Sequence, residues 1–189
     1  MRSKTFISRH FVVAGLVSAC LLTGASSASA QSGGTVAPGG GSAAATGPVG
    51  KAKLLKSGRA LAPSNAPQSI VNAIEAGNRI RKKPYIWGGG HASFDSKGYD
   101  CSGAVSYVLH AAGVLSSPLV SGQLAFWGLP GPGTWITVYA NRTHTYMYIA
   151  GLRYDTSPLG ESVDQGRGPR WRYTLRTGTG FAVRHYTGL

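Results

Sequence analysis

Apolar residues recur along this chain at two different spacings, and the change from one to the other divides it. Over residues 67–83, Ile70, Ala73, Ile74 and Ile80 fall on one face at helical spacing. Ser64 or Asn65 can cap that helix, Pro67 suits its first turn, and Pro84 stops it. A second helical face starts near Cys101 and runs through Ala104, Val105, Val108, Leu109 and Ala112, with Gly113 at its end. Residues 116–134 are rich in Ser, Gly and Pro and read as a loop. The pattern then becomes strand-like: β-branched and aromatic residues fill 135–139, 145–149, 153–156 and 181–185. Ala150-Gly151 separates two of these runs and predicts a hairpin. A two-residue turn there sets Ile149 opposite Leu152, Tyr146 opposite Asp155 and His144 opposite Ser157. Asp155 then shares a sheet face with His144, because side chains alternate. Helices first and strands later predict an α+β domain, with N-terminal helices packed on a small antiparallel sheet.

The N-terminus follows different rules. Arg2, Lys4 and Arg9 precede an apolar run over 11–22, and Ala28-Ser29-Ala30 supplies small residues, so 1–30 reads as a secretory signal peptide. The run is too short to cross a bilayer well, and no transmembrane span is expected. Val17-Ser18-Ala19-Cys20 also resembles a lipid-attachment site, which is the alternative to cleavage after Ala30. Residues 31–63 are expected to be a flexible tether rich in Gly, Ala, Ser and Pro, because such a composition buries little apolar surface. Residues 64–189 then form one domain, expected to be an exported monomer in the periplasm, cell wall or extracellular space.

Charge narrows the partners. The chain of 189 residues carries a formal net charge of +13 and only six acidic residues. A surface so basic favours polyanions. For an exported chain these are anionic cell-wall polymers or membrane lipids rather than nucleic acid; plain solubility is the alternative.

Removal of the leader leaves one thiol, Cys101, so no internal disulfide is expected. Residues 98–103 read GYDCSG, which sets that thiol at a helix start. There, unpaired backbone N–H groups and the helix dipole favour the thiolate, and the same groups can hold an oxyanion. Asp100 is expected to turn toward backbone N–H groups as a cap. A nucleophilic thiol needs a base, and His91, His110, His144 and His185 are the candidates. His110 lies on the far side of the cysteine's own helix, His91 in a Gly-rich loop and His185 in a terminal strand. His144 opens a strand, and a histidine on a sheet packed against a Cys-bearing helix makes a Cys–His pair. A buried inert cysteine and structural histidines are the plain alternative.

PYIWGGG (84–90), DCSG (100–103) opening an apolar helix, and HTYMYIAG (144–151) together resemble the NlpC-type cell-wall peptidases, which are small papain-like cysteine peptidases. The resemblance spans about residues 67–185. It implies a papain-like α+β fold, cleavage of amide bonds in peptidoglycan stem peptides through a thioester, and no metal or organic cofactor. It implies Cys101 as nucleophile, His144 as base, and Tyr85 near the nucleophile as a hydrogen-bonding or oxyanion group. The family orients its histidine with a third polar residue, usually His, Asn or Gln. Here that place falls to Asp155, favoured for its charge, with Ser157 as the alternative.

The chain departs from the family in places. The loop between the glycines and Cys101 is longer than usual, and the frequent Pro-Gly-Asp is here Pro132-Gly133-Thr134. The basic run over 166–176 carries Arg167, Arg170 and Arg172, which can pair with substrate carboxylates or form a solvated edge. Two other functions remain open: thiol-dependent amidase or acyltransferase chemistry on another substrate, and a non-catalytic wall-binding module.

Overall fold

A buried cap and a buried asparagine hold the two helices where the sheet needs them. The computed structural model describes residues 50–158 and 168–189. The leader expected over 1–30 with Cys20, the tether over 31–49, and Arg167 lie outside the described residues. The first long helix, α1, spans Gln68–Ile80 and starts after Pro67, with neither Ser64 nor Asn65 at its cap. The second, α2, spans Cys101–Ala111, and the Asp100 carboxylate accepts a hydrogen bond from the Gly103 N–H at 2.7 Å. This is the cap expected of that aspartate, and it satisfies a first-turn donor. One short helix, α3 (Ser121–Leu124), lies within the stretch read as loop. It is a single turn, too short to leave a periodic signal.

Eight strands are described. β1 (Lys53–Leu54) and β2 (Ala60–Leu61) form a two-stranded ribbon. β3 (Leu129–Pro130), β4 (Ile136–Ala140), β5 (Thr145–Ile149), β6 (Leu152–Asp155), β7 (Arg170–Arg172) and β8 (Ala182–His185) form an antiparallel sheet in the order β3-β8-β4-β5-β6-β7. The β5–β6 register sets Ile149 opposite Leu152, as the sequence predicts. Both turn residues have positive φ, 45° at Ala150 and 84° at Gly151, the combination that a tight two-residue hairpin turn requires.

The core forms where α1 and α2 meet the sheet. Ile70, Ile74, Val108, Leu109, Val138, Met147 and Ile149 are fully buried there. Each aliphatic side chain removed from water in this way stabilises by about 1.5–3 kcal/mol. Met147 and Ile149 supply the helix side of β5. Tyr146 and Tyr148 alternate to the other side, where Arg153 pairs with Tyr148.

Residues 51–63, expected to belong to the tether, are structured. Residues 51–63 include the β1–β2 ribbon, and Ala60 is fully buried. Asn78 of α1, also fully buried, explains why. Its side chain accepts from the Ala60 N–H at 2.8 Å and donates to the Ala60 carbonyl at 2.9 Å. The Trp171 indole N–H of β7 donates to the same Asn78 oxygen at 3.1 Å. The Ala52 N–H also donates to the Ala150 carbonyl at 2.8 Å. A polar residue on an otherwise apolar helix thus fastens the ribbon that the composition of 51–63 conceals.

Candidate active site

Two glycines bring the WGGG loop onto the start of α2. A Cβ on Gly103 would stand 2.0 Å from the Gly89 carbonyl oxygen, so the backbones touch where any side chain would part them. The Gly88 N–H then reaches the Asp100 carboxylate at 3.1 Å. His91 Nε2 lies 3.0 Å from that carboxylate and 3.1 Å from Ser102 Oγ. Asp100 therefore caps the helix and pins the loop together. Its charge is spent on backbone N–H groups and His91.

Cys101 opens α2, is only 7 % exposed, and is a free cysteine. His144 precedes β5, its ring bonds to Asp155, and Cys101 lies near enough to act on its charge. Its Nε2 stands 3.1 Å from Asp155 Oδ1 and 3.2 Å from Ser157 Oγ. Asp155 and Ser157, weighed against each other in the sequence, thus both meet the ring. The Asp155 side chain has no exposure and also accepts from the Ser157 N–H at 2.9 Å.

Electrostatics follows from these contacts. Burial disfavours the His144 imidazolium, but the hydrogen bonds to Asp155 and Cys101 and their charges outweigh it and push its pKa up to about 9. Burial alone would raise the Asp155 pKa. Its hydrogen bonds to His144 and the Ser157 N–H, with the charges of His144 and Arg176, hold it well below the usual carboxylate range.

The site opens on two cavities. One of about 360 Å³ is lined by Tyr85, Trp87, His144, Thr156, Ser157 and Pro158. The other, about 540 Å³, borders Cys101, Ser102, His91, Val120 and Arg142, and Trp87 again lines it. Tyr85 therefore shares a cavity with His144. Trp87, 85 % exposed, stands between the two spaces.

The other histidines are placed elsewhere. His110 stacks on Phe94 at 3.9 Å and bonds to the Leu115 carbonyl. His185 meets the Gly131 carbonyl. Of the basic run's candidate arginines, Arg170 and Arg172 are described, and both turn to backbone carbonyls. Arg170 donates to the Arg81 carbonyl, and Arg172, buried in β7, donates to the Ser157 carbonyl. Pairing of β7 with β6 turns Arg172 onto the segment that carries Ser157, so its reach is spent on the protein.

Arg176 is the residue that sequence reasoning missed. Its Nη1 donates to Asp155 Oδ2 at 3.1 Å and to Ser157 Oγ at 2.7 Å. It belongs to an irregular stretch with no period to read, and only the fold brings it to the hairpin. No group of three or more His, Cys, Asp or Glu arranged to hold a metal ion occurs among the described residues.

Cys101 at the start of α2 and the His144–Asp155 pair beside the β5–β6 hairpin belong to an α+β, papain-like fold. No protein-family model matches the chain, and no curated protein matches it. Solved structures similar to it include a mutated form of RipA, the resuscitation promoting factor interacting protein. That structure is 26 % identical, with a TM-score of 0.46, and the match covers 62 % of each chain. A hypothetical invasion protein of Mycobacterium tuberculosis is 24 % identical, with a TM-score of 0.45, over 73 % of this chain and 69 % of that one. RipD of Mycobacterium tuberculosis, described as a non-catalytic NlpC/p60 domain protein adapted to peptidoglycan binding, is 19 % identical. Its TM-score is 0.46, over 62 % of this chain and 97 % of that one. The match thus spans about three fifths of the RipA structure's length.

Proposed function

We propose that this chain is an exported cysteine hydrolase that cleaves amide bonds in peptidoglycan stem peptides. The observation that carries the reading is His144 Nε2 bonded to Asp155 at 3.1 Å, with Cys101 at the start of α2 near enough to act on the ring's charge. The Cys101 thiolate adds to an amide carbonyl carbon. The first-turn N–H groups of α2 that Asp100 does not cap, together with Tyr85, hold the developing oxyanion. Collapse breaks the C–N bond as the His144 imidazolium gives its proton to the leaving amine. Neutral His144 then takes a proton from water, whose oxygen attacks the thioester carbon. The C–S bond breaks, a carboxylic acid leaves and gives its proton to solvent, and the thiolate returns beside the imidazolium. The basic surface draws the chain to an anionic wall.

Acid-quench mass spectrometry tests the reading. A soluble stem peptide mixed with the chain is expected to add one acyl fragment to Cys101 during turnover. Binding of wall fragments without any adduct or product would replace the reading with that of a silent binding module.

A further inference from the structure

We propose that Arg176 is a positioning residue that divides the negative charge of Asp155 between itself and His144, so that the carboxylate orients the imidazole without withholding its proton from the leaving group. The inference rests on the hydrolase reading above.

The two Asp155 oxygens have different partners. Oδ1 takes His144 Nε2 at 3.1 Å and the Ser157 N–H at 2.9 Å. Oδ2 takes Arg176 Nη1 at 3.1 Å, with Arg153 Nε at 3.6 Å. The same Arg176 nitrogen donates to Ser157 Oγ, which itself lies 3.2 Å from His144 Nε2. Arg176 therefore bonds to both groups that meet the Nε2 side of the ring.

The guanidinium is held in place. Its central carbon lies 5.0 Å from the Tyr146 ring centroid and 5.5 Å from that of Phe181. The Tyr146 ring stacks on Tyr139, and its hydroxyl donates to the Thr177 carbonyl at 3.1 Å. The Arg176 N–H donates to the Tyr148 hydroxyl at 2.8 Å. A cation fixed by aromatic faces and backbone needs little reorganisation to act.

A lone buried carboxylate favours the imidazolium strongly, and an acid held that tightly donates poorly. A cation on the second oxygen offsets that pull. The other groups facing His144 are Cys101 from α2, Tyr146 from its own strand and Tyr85 across the cavity; Arg153 and Arg172 lie behind Asp155. Arg176 joins Asp155 to Ser157 on the ring's side.

The test compares Arg176→Met, Arg176→Gln and Arg176→Lys by NMR titration of the His144 ring, assigned against His144→Ala, and by the pH profile of turnover. The Ser157 N–H and Arg153 still hold Asp155 when the guanidinium is gone. Arg176→Met is expected to raise the His144 titration midpoint by on the order of one pH unit. The alkaline limb of turnover should move with it, while the maximal rate falls several-fold. Arg176→Lys should restore most of both, and Arg176→Gln reads the same effect if the methionine variant does not fold. An unchanged midpoint overturns the proposal. So does a lowered one, which would mean that Arg176 only keeps the carboxylate near the ring. The ring titration needs no substrate. Absence of turnover in the unaltered chain would therefore count against the hydrolase reading, while the titration still judges Arg176.

Discussion

In the proposed hydrolysis His144 moves the proton and Asp155 holds the ring, so their substitutions are expected to differ in kind. His144→Ala should remove nearly all turnover. Asp155→Asn keeps an acceptor for Nε2 and should retain part of the rate, and Asp155→Ala less. Assays on a soluble stem peptide, with circular dichroism for folding, read the order; Asp155→Ala at full rate would move the orienting role to Ser157. The same pair predicts how stability changes with pH. The His144 pKa is raised to about 9, so its contribution is complete below the unfolded value of about 6.5 and is lost as pH rises through 9. The Asp155 pKa is lowered, so its contribution is present above the unfolded value of about 3.9 and is lost as pH falls through the folded one. Thermal melts should therefore be highest between about pH 4 and 6.5, and His144→Ala should flatten the decline toward pH 9. Cys101, His144 and Asp155 were legible in the sequence because a helix start, a strand start and a two-residue turn fix their positions locally. Arg176 was not, since 21 residues of chain, part of them irregular, separate it from Asp155.

The long elements follow the periodicity closely. α1 and α2 have wide apolar faces, and β5 and β6 meet across a turn that its residues specify. The β1–β2 ribbon and β7 escaped the reading because each is two or three residues long and owes its place to contacts from elsewhere. Asn78 makes that argument measurable. Asn78→Ala would strip the Ala60 N–H and carbonyl and the Trp171 indole of their buried partner. A loss of about 2–3 kcal/mol in urea denaturation is expected. A loss below half a kilocalorie would show that the ribbon is held by other means. Gly103→Ala forces the WGGG loop off α2 and should cost about 1–3 kcal/mol together with turnover, because the loop carries Trp87 and the Asp100 contacts.

At the scale of the molecule, one α+β domain presents a basic exterior and a cleft divided by Trp87. Deletion of residues 31–49 should leave the melting temperature and turnover nearly unchanged, since that composition sustains no core. Deletion through residue 63 removes the ribbon and buried Ala60, and should lower the melting temperature by several degrees. Equal effects of the two deletions would contradict the boundary drawn at the ribbon. The central claim is that Cys101 cuts stem peptides, and mass analysis of purified peptidoglycan fragments incubated with the exported chain tests it most directly. Shortened stem peptides with a new amine and a new carboxylate are expected from the unaltered chain and none from Cys101→Ala. Fragments left intact by the unaltered chain, or cut equally by Cys101→Ala, would contradict it.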